Sequence, residues 1–373
     1  MSSFNSLSLS LLLASGAVSA ADFPLTVDSE HGKLKVERVA EGLQIPWAID
    51  FLPDGKALVT ERPGTLSIVD LGSGERVKVH DVPAVAARNQ GGLLDVLVHP
   101  KYAENRKIYL CFSVEVDGGY TTRVARYTLS GGHLKDAETL FDAAPAFNRV
   151  HHFGCRMQID AQGYLYFTVG DRLERDLAQS LESHNGKVLR IHDDGRIPKD
   201  NPFVDTPRAK PEIWSYGHRN PQGLAFRPGT SELWSHEHGP RGGDEINLVS
   251  KGLNYGWPVI TFGREYHGPS IGEGTEKEGM QQPVLQWTPS IGPSGMEFYS
   301  ADLFPAWKGH LFSGGMALTY LSRVELDGQR FKHEEKLFSG LGWRIREVDQ
   351  GPDGALYLLT DNSWLLRVTP AEG

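Results

Sequence analysis

What most constrains this chain is a unit that keeps returning: a short alternating or apolar run, a turn bearing glycine, a second run and a second turn. Such runs have the two-residue period of antiparallel strands, and helical periodicity is scarce. The clearest copy is WAIDFLPDGKALVTERPGTLSIVDL, residues 47 to 71, where Pro53-Asp54-Gly55 and Arg62-Pro63-Gly64 join three strands. Residues 346 to 368, REVDQGPDGALYLLTDNSWLLRV, repeat the order of strand, Pro-Asp-Gly turn, strand and strand. The first copy has Thr60-Glu61 where the last has Thr360-Asp361. Looser copies stand at 93–100, 157–172, 223–239 and 296–305, which makes six. Their spacing of roughly 45 to 70 residues suits four-stranded propeller blades with loop insertions. The predicted fold is all-β, a six-bladed β-propeller of four-stranded antiparallel blades. A β-sandwich fits six similar units poorly. In a propeller, the polar residues at the strand exits gather at one mouth of the central channel.

The 42 glycines and 22 prolines agree with a chain rich in turns, and 39% hydrophobic residues suffice for a large core. The net charge of −9 has its acidic excess spread along the chain, which argues against nucleic acid and makes calcium a natural partner. Leu7 to Ala20 is apolar and small and ends in Val18-Ser19-Ala20. Residues 1–20 therefore read as a secretory signal cleaved near Ala20, although Met1 to Ser10 carries no Lys or Arg. The expectation is a periplasmic or secreted protein whose residues 21–373 form a single propeller. No other apolar run could span a bilayer. Cys111 and Cys155 are the only cysteines, too few for a thiolate metal centre; they leave open one bridge or buried thiols.

No GxGxxG opens a helix after a strand, and neither a P-loop nor GxSxG occurs, so a nicotinamide, flavin or nucleotide site has no support. His236-Glu237-His238 is not the helical HExxH of a zinc protease. Four other stretches carry chemistry. HHFGCRMQIDAQGYLYFTVGDR pairs His151-His152 with a strand ending in Gly170-Asp171, and a histidine beside a carboxylate can act as a base near neutral pH. SYGHRNPQGLAF sets Arg219 and Asn220 before a turn, donors suited to an anionic or carbonyl-rich ligand. HEHGPRGGDEINLVSKGLNYGWP crowds glycines and Asp244-Glu245 into a loop, which suits either calcium or a solvated turn. Arg344 and Arg346, two residues apart on a strand, share a face and could grip carboxylates.

Taken in order, NQGGLLDVLVHP, HHFGCRMQID, YGHRNPQGLAF, HGPRGGDEINLVSKGLNYGWP, WTPSIGPSGMEFY and RIREVDQGPDGALYLLTD resemble the soluble pyrroloquinoline quinone (PQQ)-dependent aldose sugar and glucose dehydrogenases over nearly the whole mature chain. That family is built as a six-bladed propeller. The resemblance implies oxidation of aldose sugars at C1, with His152 as general base and Asp171 orienting it. It implies cofactor contacts at Gln90, Arg219, Asn220, His238, Arg344, Arg346 and Asp361, where positive charge would stabilise the reduced quinone. It also implies a catalytic calcium held by the carbonyls of Gly239 and Pro240, and a structural calcium held by Glu245, the Tyr255 carbonyl and Asp244.

Three departures bear on this. His238 stands where the glucose enzyme has Gln, Met316-Ala317 occupies the stretch where some members place a cofactor-binding Lys, and the loop between Gly263 and Gln286 is short. The shorter rim implies a more open site, broader aldose use and a monomer. The natural electron acceptor is not named by the residues. A calcium-dependent propeller lactonase and a quinone-free binding or scaffold propeller are the competing readings.

Overall fold

The computed structural model describes residues 22–267 and 270–371, so the signal segment read at 1–20 lies outside the described residues. Within them the strands form six sheets, each antiparallel throughout. The first blade runs Pro46–Phe51, Lys56–Glu61, Thr65–Asp70 and Arg76–Lys78. The second is Leu93–Val98, Lys107–Val116, Gly119–Ser130 and His133–Asp142. The third is Met157–Ile159, Tyr164–Val169, Lys187–His192 and Ile213–Tyr216. The fourth is Pro221–Phe226, Leu233–Glu237, Asp244–Val249 and Leu285–Trp287. The fifth is Pro293–Phe298, Leu311–Gly315, Tyr320–Asp327 and Arg330–Leu337. Each of the six sequence units falls on the inner strands of its own blade.

The sixth blade departs from the expected four strands. The last three strands, Ile345–Gln350, Leu356–Thr360 and Trp364–Pro370, are completed by Gly32–Glu41 and then Leu25–Ser29 from the other end of the chain. Val36 pairs with Val368 and Leu34 with Pro370, so the two ends of the fold lock the ring.

Blades stack face to face, which buries both sides of their inner strands. Ala57, Leu58 and Val59 are therefore all fully buried, as are Leu356, Leu358 and Leu359, and these strands read as apolar runs rather than clean alternation. The Pro-Asp-Gly turns close because Gly55 and Gly354 adopt φ of +79° and +78°, a region that glycine enters without a Cβ clash. Among the described residues no helix is long and apolar enough to cross a membrane.

The topology fixes where side chains can meet. The innermost strand of each blade begins at the same mouth of the channel, and the second strand, running antiparallel, ends there. Chain entries and strand exits of all six blades thus converge on one opening.

Candidate active site at the channel mouth

His152 lies in the loop that leads into the third blade, and Asp171 follows the exit of that blade's second strand. Nδ1–H of His152 donates to Asp171 Oδ1 at 2.6 Å, and both residues are buried. An ionised carboxylate only accepts, so the imidazole keeps its proton on Nδ1 and leaves a lone pair on Nε2. The other Asp171 oxygen accepts from Trp257 Nε1–H at 2.8 Å. Burial lowers the His152 pKa below its usual value; the bond to Asp171 works against this and the Arg219 charge adds to it. For Asp171 burial would raise the value, but the His152 bond and the charges of His152 and Arg219 hold it below the usual carboxylate range.

The backbone around His152 is held in an unusual shape. His152 and Cys155 have φ of +53° and +79°, positions that cost a residue with a Cβ on the order of 1–2 kcal/mol each. Three contacts hold the loop: His152 N–H donates to Gln90 Oε1 at 2.8 Å, Gly154 N–H to Asn220 Oδ1 at 3.2 Å, and Cys155 is disulfide-bonded to Cys111. The cysteines, left open by the sequence, therefore join the second blade to the loop that carries His152.

Beside the dyad is a cavity of about 220 Å³ whose lining includes Gln90, Asn220, His238, Met316, Arg344 and Arg346. Arg344 Nε donates to Asp361 Oδ2 at 3.0 Å and its Nη1 to the Met316 carbonyl at 2.8 Å. Arg346 reaches Asp361 only at 3.4 Å, and its buried Nε has no partner among the described residues. Arg219 lies against the ring of Trp257, 5.3 Å from its centroid, and donates to the carbonyls of His238 and Gly239 at 2.9 and 3.0 Å. His238 Nε2–H donates to the Pro293 carbonyl at 2.7 Å. Burial pushes its pKa down to about 3, against the Pro293 bond and with help from the Arg219 charge, so the ring is neutral at physiological pH.

The loop from Gly239 to Glu245 is organised by Asp244. Its carboxylate accepts from Gly239 N–H at 2.8 Å, Ser290 Oγ at 2.9 Å and Gly292 N–H at 2.9 Å. That places Asp244 as a buried anchor of the loop. Glu245 pairs across the sheet with Glu237, and both line a small cleft shared with Gly239 and Tyr255. Burial, then the Glu237 charge, pushes Glu245 up to about 8. Among the described residues no donor reaches the Pro240 or Tyr255 carbonyl oxygens. No group of three or more His, Cys, Asp and Glu side chains is placed to hold a metal ion among them either.

Farther down the channel, Asp50, Asp95, Glu297, Glu347 and Asp349 surround Arg156. Arg156 Nη1 bridges Asp95, at 3.1 Å, and Glu347. Burial first, then neighbouring carboxylates, raises Glu297 to about 8 and Asp50 to about 7.

The site residues proposed from sequence thus converge on one mouth, from four of the six blades. Three neighbours were not singled out. Trp257 supports Asp171, Glu237 faces Glu245, and Arg62 lines the arginine-rich cavity. The signal for Arg62 was present, since it follows Thr60-Glu61, the counterpart of Thr360-Asp361.

Fold and site together define a propeller with a buried histidine–carboxylate pair and an arginine-lined cup at one end of its channel. The Glucose / Sorbosone dehydrogenase family matches residues 43–367, and the chain belongs to that family of oxidoreductases. An aldose sugar dehydrogenase of Escherichia coli is 43% identical over 368 residues, covering 96% of this chain and 97% of that protein. Quinoprotein glucose dehydrogenase B of Acinetobacter calcoaceticus is 34% identical over 434 residues, covering 92% and 89%. The PQQ-bound form of an aldose sugar dehydrogenase from Streptomyces coelicolor superposes with a TM-score of 0.76 at 30% identity, covering 91% of this chain and 98% of that one.

Proposed function

We propose that this chain oxidises aldose sugars at C1 to lactones, with PQQ as cofactor and calcium as its metal. The observation that carries this reading is a buried His152–Asp171 dyad next to an arginine-rich cup in which the buried Arg346 Nε has no partner among the described residues. An orphaned buried guanidinium N–H is costly unless a ligand satisfies it, and a cup of guanidinium groups suits a ligand bearing several carboxylates. The residues present therefore fit PQQ. Arg344 and Arg346 would hold its carboxylates, with Arg219, Asn220 and Gln90 towards its quinone oxygens, and neutral His238 in the wall.

When bound, PQQ supplies the two-electron acceptor, so that the sugar loses hydride from C1 and a proton from its C1 hydroxyl. The protein's task is to take that proton. Asp171 holds the Nδ1 proton of His152, so Nε2 is the free base, and the imidazolium formed is stabilised by the carboxylate. The Gly239 and Pro240 carbonyls would hold a catalytic calcium, a Lewis acid towards the cofactor. Glu245 and the Tyr255 carbonyl would hold a second ion, with Glu237 opposite. Asp244 would contribute to that ion through the loop it organises. A divalent cation there would relieve the repulsion of a buried and a half-buried carboxylate placed directly opposite each other.

Export to an oxidising compartment after cleavage near Ala20 accords with the Cys111–Cys155 bridge. The proposed protein is a monomer with aldoses as substrates and an electron acceptor still to be named.

The test is dye reduction by protein reconstituted with PQQ and calcium, across a panel of aldoses. Expected is sugar-dependent reduction that needs both additions and falls at least ~10²-fold in His152→Gln while quinone binding persists. Quinone-bound wild-type protein that reduces no dye with any aldose would overturn the reading.

A further inference from the structure

The channel mouth holds more positive charge than its own contacts neutralise. Arg62, Arg344 and Arg346 line the same cavity, and a single carboxylate, Asp361, serves two of them. Arg62 comes from the first blade, just past the exit of its second strand. Its N–H donates to the Ile45 carbonyl and its own carbonyl accepts from Leu93 N–H, both at 3.0 Å. Its guanidinium, by contrast, makes neither an ion pair nor a hydrogen bond among the described residues.

The neighbourhood is built to let that side chain through. Gly92, with φ of +147°, lies against Arg62, and a Cβ on it would sit 2.6 Å from Arg62 Cγ and 2.0 Å from the Arg62 carbonyl oxygen. Only glycine leaves room for the stem. The Arg62 charge is also felt by Arg346, whose pKa is lowered by burial, restored in part by Asp361 and lowered again by Arg62. Two like charges held close, one with an orphaned buried N–H and the other unpaired, are a standing cost that an anionic ligand would remove.

We infer that Arg62 is a further cofactor-binding residue, gripping a carboxylate of the bound planar polycarboxylate together with Arg346. The inference rests on the quinone reading of the site. It makes the first blade, which none of the proposed contacts used, part of the binding wall, and it supplies a cation where Met316 lines the same cavity without one.

Calorimetric titration of PQQ into calcium-loaded wild type, Arg62→Gln and Arg62→Lys tests this, with PQQ trimethyl ester as the uncharged probe. Expected is a loss of about 10-fold in PQQ affinity in Arg62→Gln, the scale of one partly exposed charge-assisted contact, with partial recovery in Arg62→Lys. The ester should bind wild type and Arg62→Gln equally. An unchanged melting temperature should show that the variant folds, since the Arg62 backbone bonds survive the substitution. If wild type binds PQQ and Arg62→Gln binds it within twofold, the inference fails and the quinone reading stands. Equal weakening towards acid and ester would assign Arg62 a role in shape, also against the inference. Absence of PQQ binding by the wild type would overturn both.

Discussion

His152 illustrates how one side chain is tuned by three neighbours that pull in different directions. Burial and Arg219 lower its affinity for a proton while Asp171 raises it, and the balance lies below the usual histidine value. The sugar-oxidising rate, read as kcat/KM, should therefore rise with pH along a limb centred below about 6.5, the ordinary imidazole value, and be flat from there to neutrality. Asp171→Asn removes the raising influence and the anchor of the Nδ1 proton together. Its expected effect is a fall in kcat of about 10²–10⁴-fold with the acid limb moved to still lower pH, measured in buffers from pH 4.5 to 8. Trp257, which holds the far oxygen of Asp171, could not be found from sequence. A tryptophan before a proline in a loop reads as core, and nothing local says that its indole N–H reaches back 86 residues. His152, Asp171, Arg219 and Arg346 were legible because each sits at a strand entrance or exit, and a propeller brings those positions to one mouth.

At the scale of elements, the loop from His151 to Arg156 is strained backbone tied at several points. The Cys111–Cys155 bridge closes a sequence separation of 44 residues and fastens that loop to the second blade. By loop-closure entropy such a link contributes about 4 kcal/mol, an upper figure if the reduced chain keeps residual structure. The Cys111→Ala, Cys155→Ala double variant should melt several degrees lower and lose activity more than quinone affinity, because the strained base is freed before the cup is. Differential scanning calorimetry and PQQ titration on the same sample distinguish the two effects. The sequence showed both cysteines but not their pairing, since one lies mid-strand and the other in a loop, and only the stacking of blades two and three brings them within 5.6 Å between Cα atoms. The five-stranded last blade escaped for a related reason. Residues 25 to 41 lack the Pro-Asp-Gly turn that marks the first and last units, and their partner Trp364–Pro370 is over 300 residues away, where no local pattern reaches.

Across the whole molecule, charge is divided along the channel: arginines crowd the mouth, and five carboxylates lie farther in, two of them bonded to Arg156. Carboxyl groups whose folded pKa is raised favour the folded state while protonated and lose that contribution as pH climbs through the folded value. With Glu297 near 8 and Asp50 and Glu347 near 7, the loss begins above the unfolded carboxyl value of about 4 and continues until the folded values are passed at about 8. The metal-free protein should melt at a lower temperature at pH 8.5 than at pH 6.5. Glu297→Gln should reduce that difference, by about 2–4 °C for each kcal/mol of repulsion relieved. An equal slope in wild type and variant would show that Glu297 carries no such proton.

The clasp between the first and last strands also sets an order in time. A ribosome delivers Gly32–Glu41 more than 300 residues before Trp364–Pro370, so the ring stays open until that closing strand has been made. Arg344, Arg346 and Asp361 are made shortly before that closing strand, long after Gln90 and His152. A chain cut short before that strand therefore has the His152–Asp171 pair but an unclosed ring, and the arginine-lined cup is complete only once the clasp has formed.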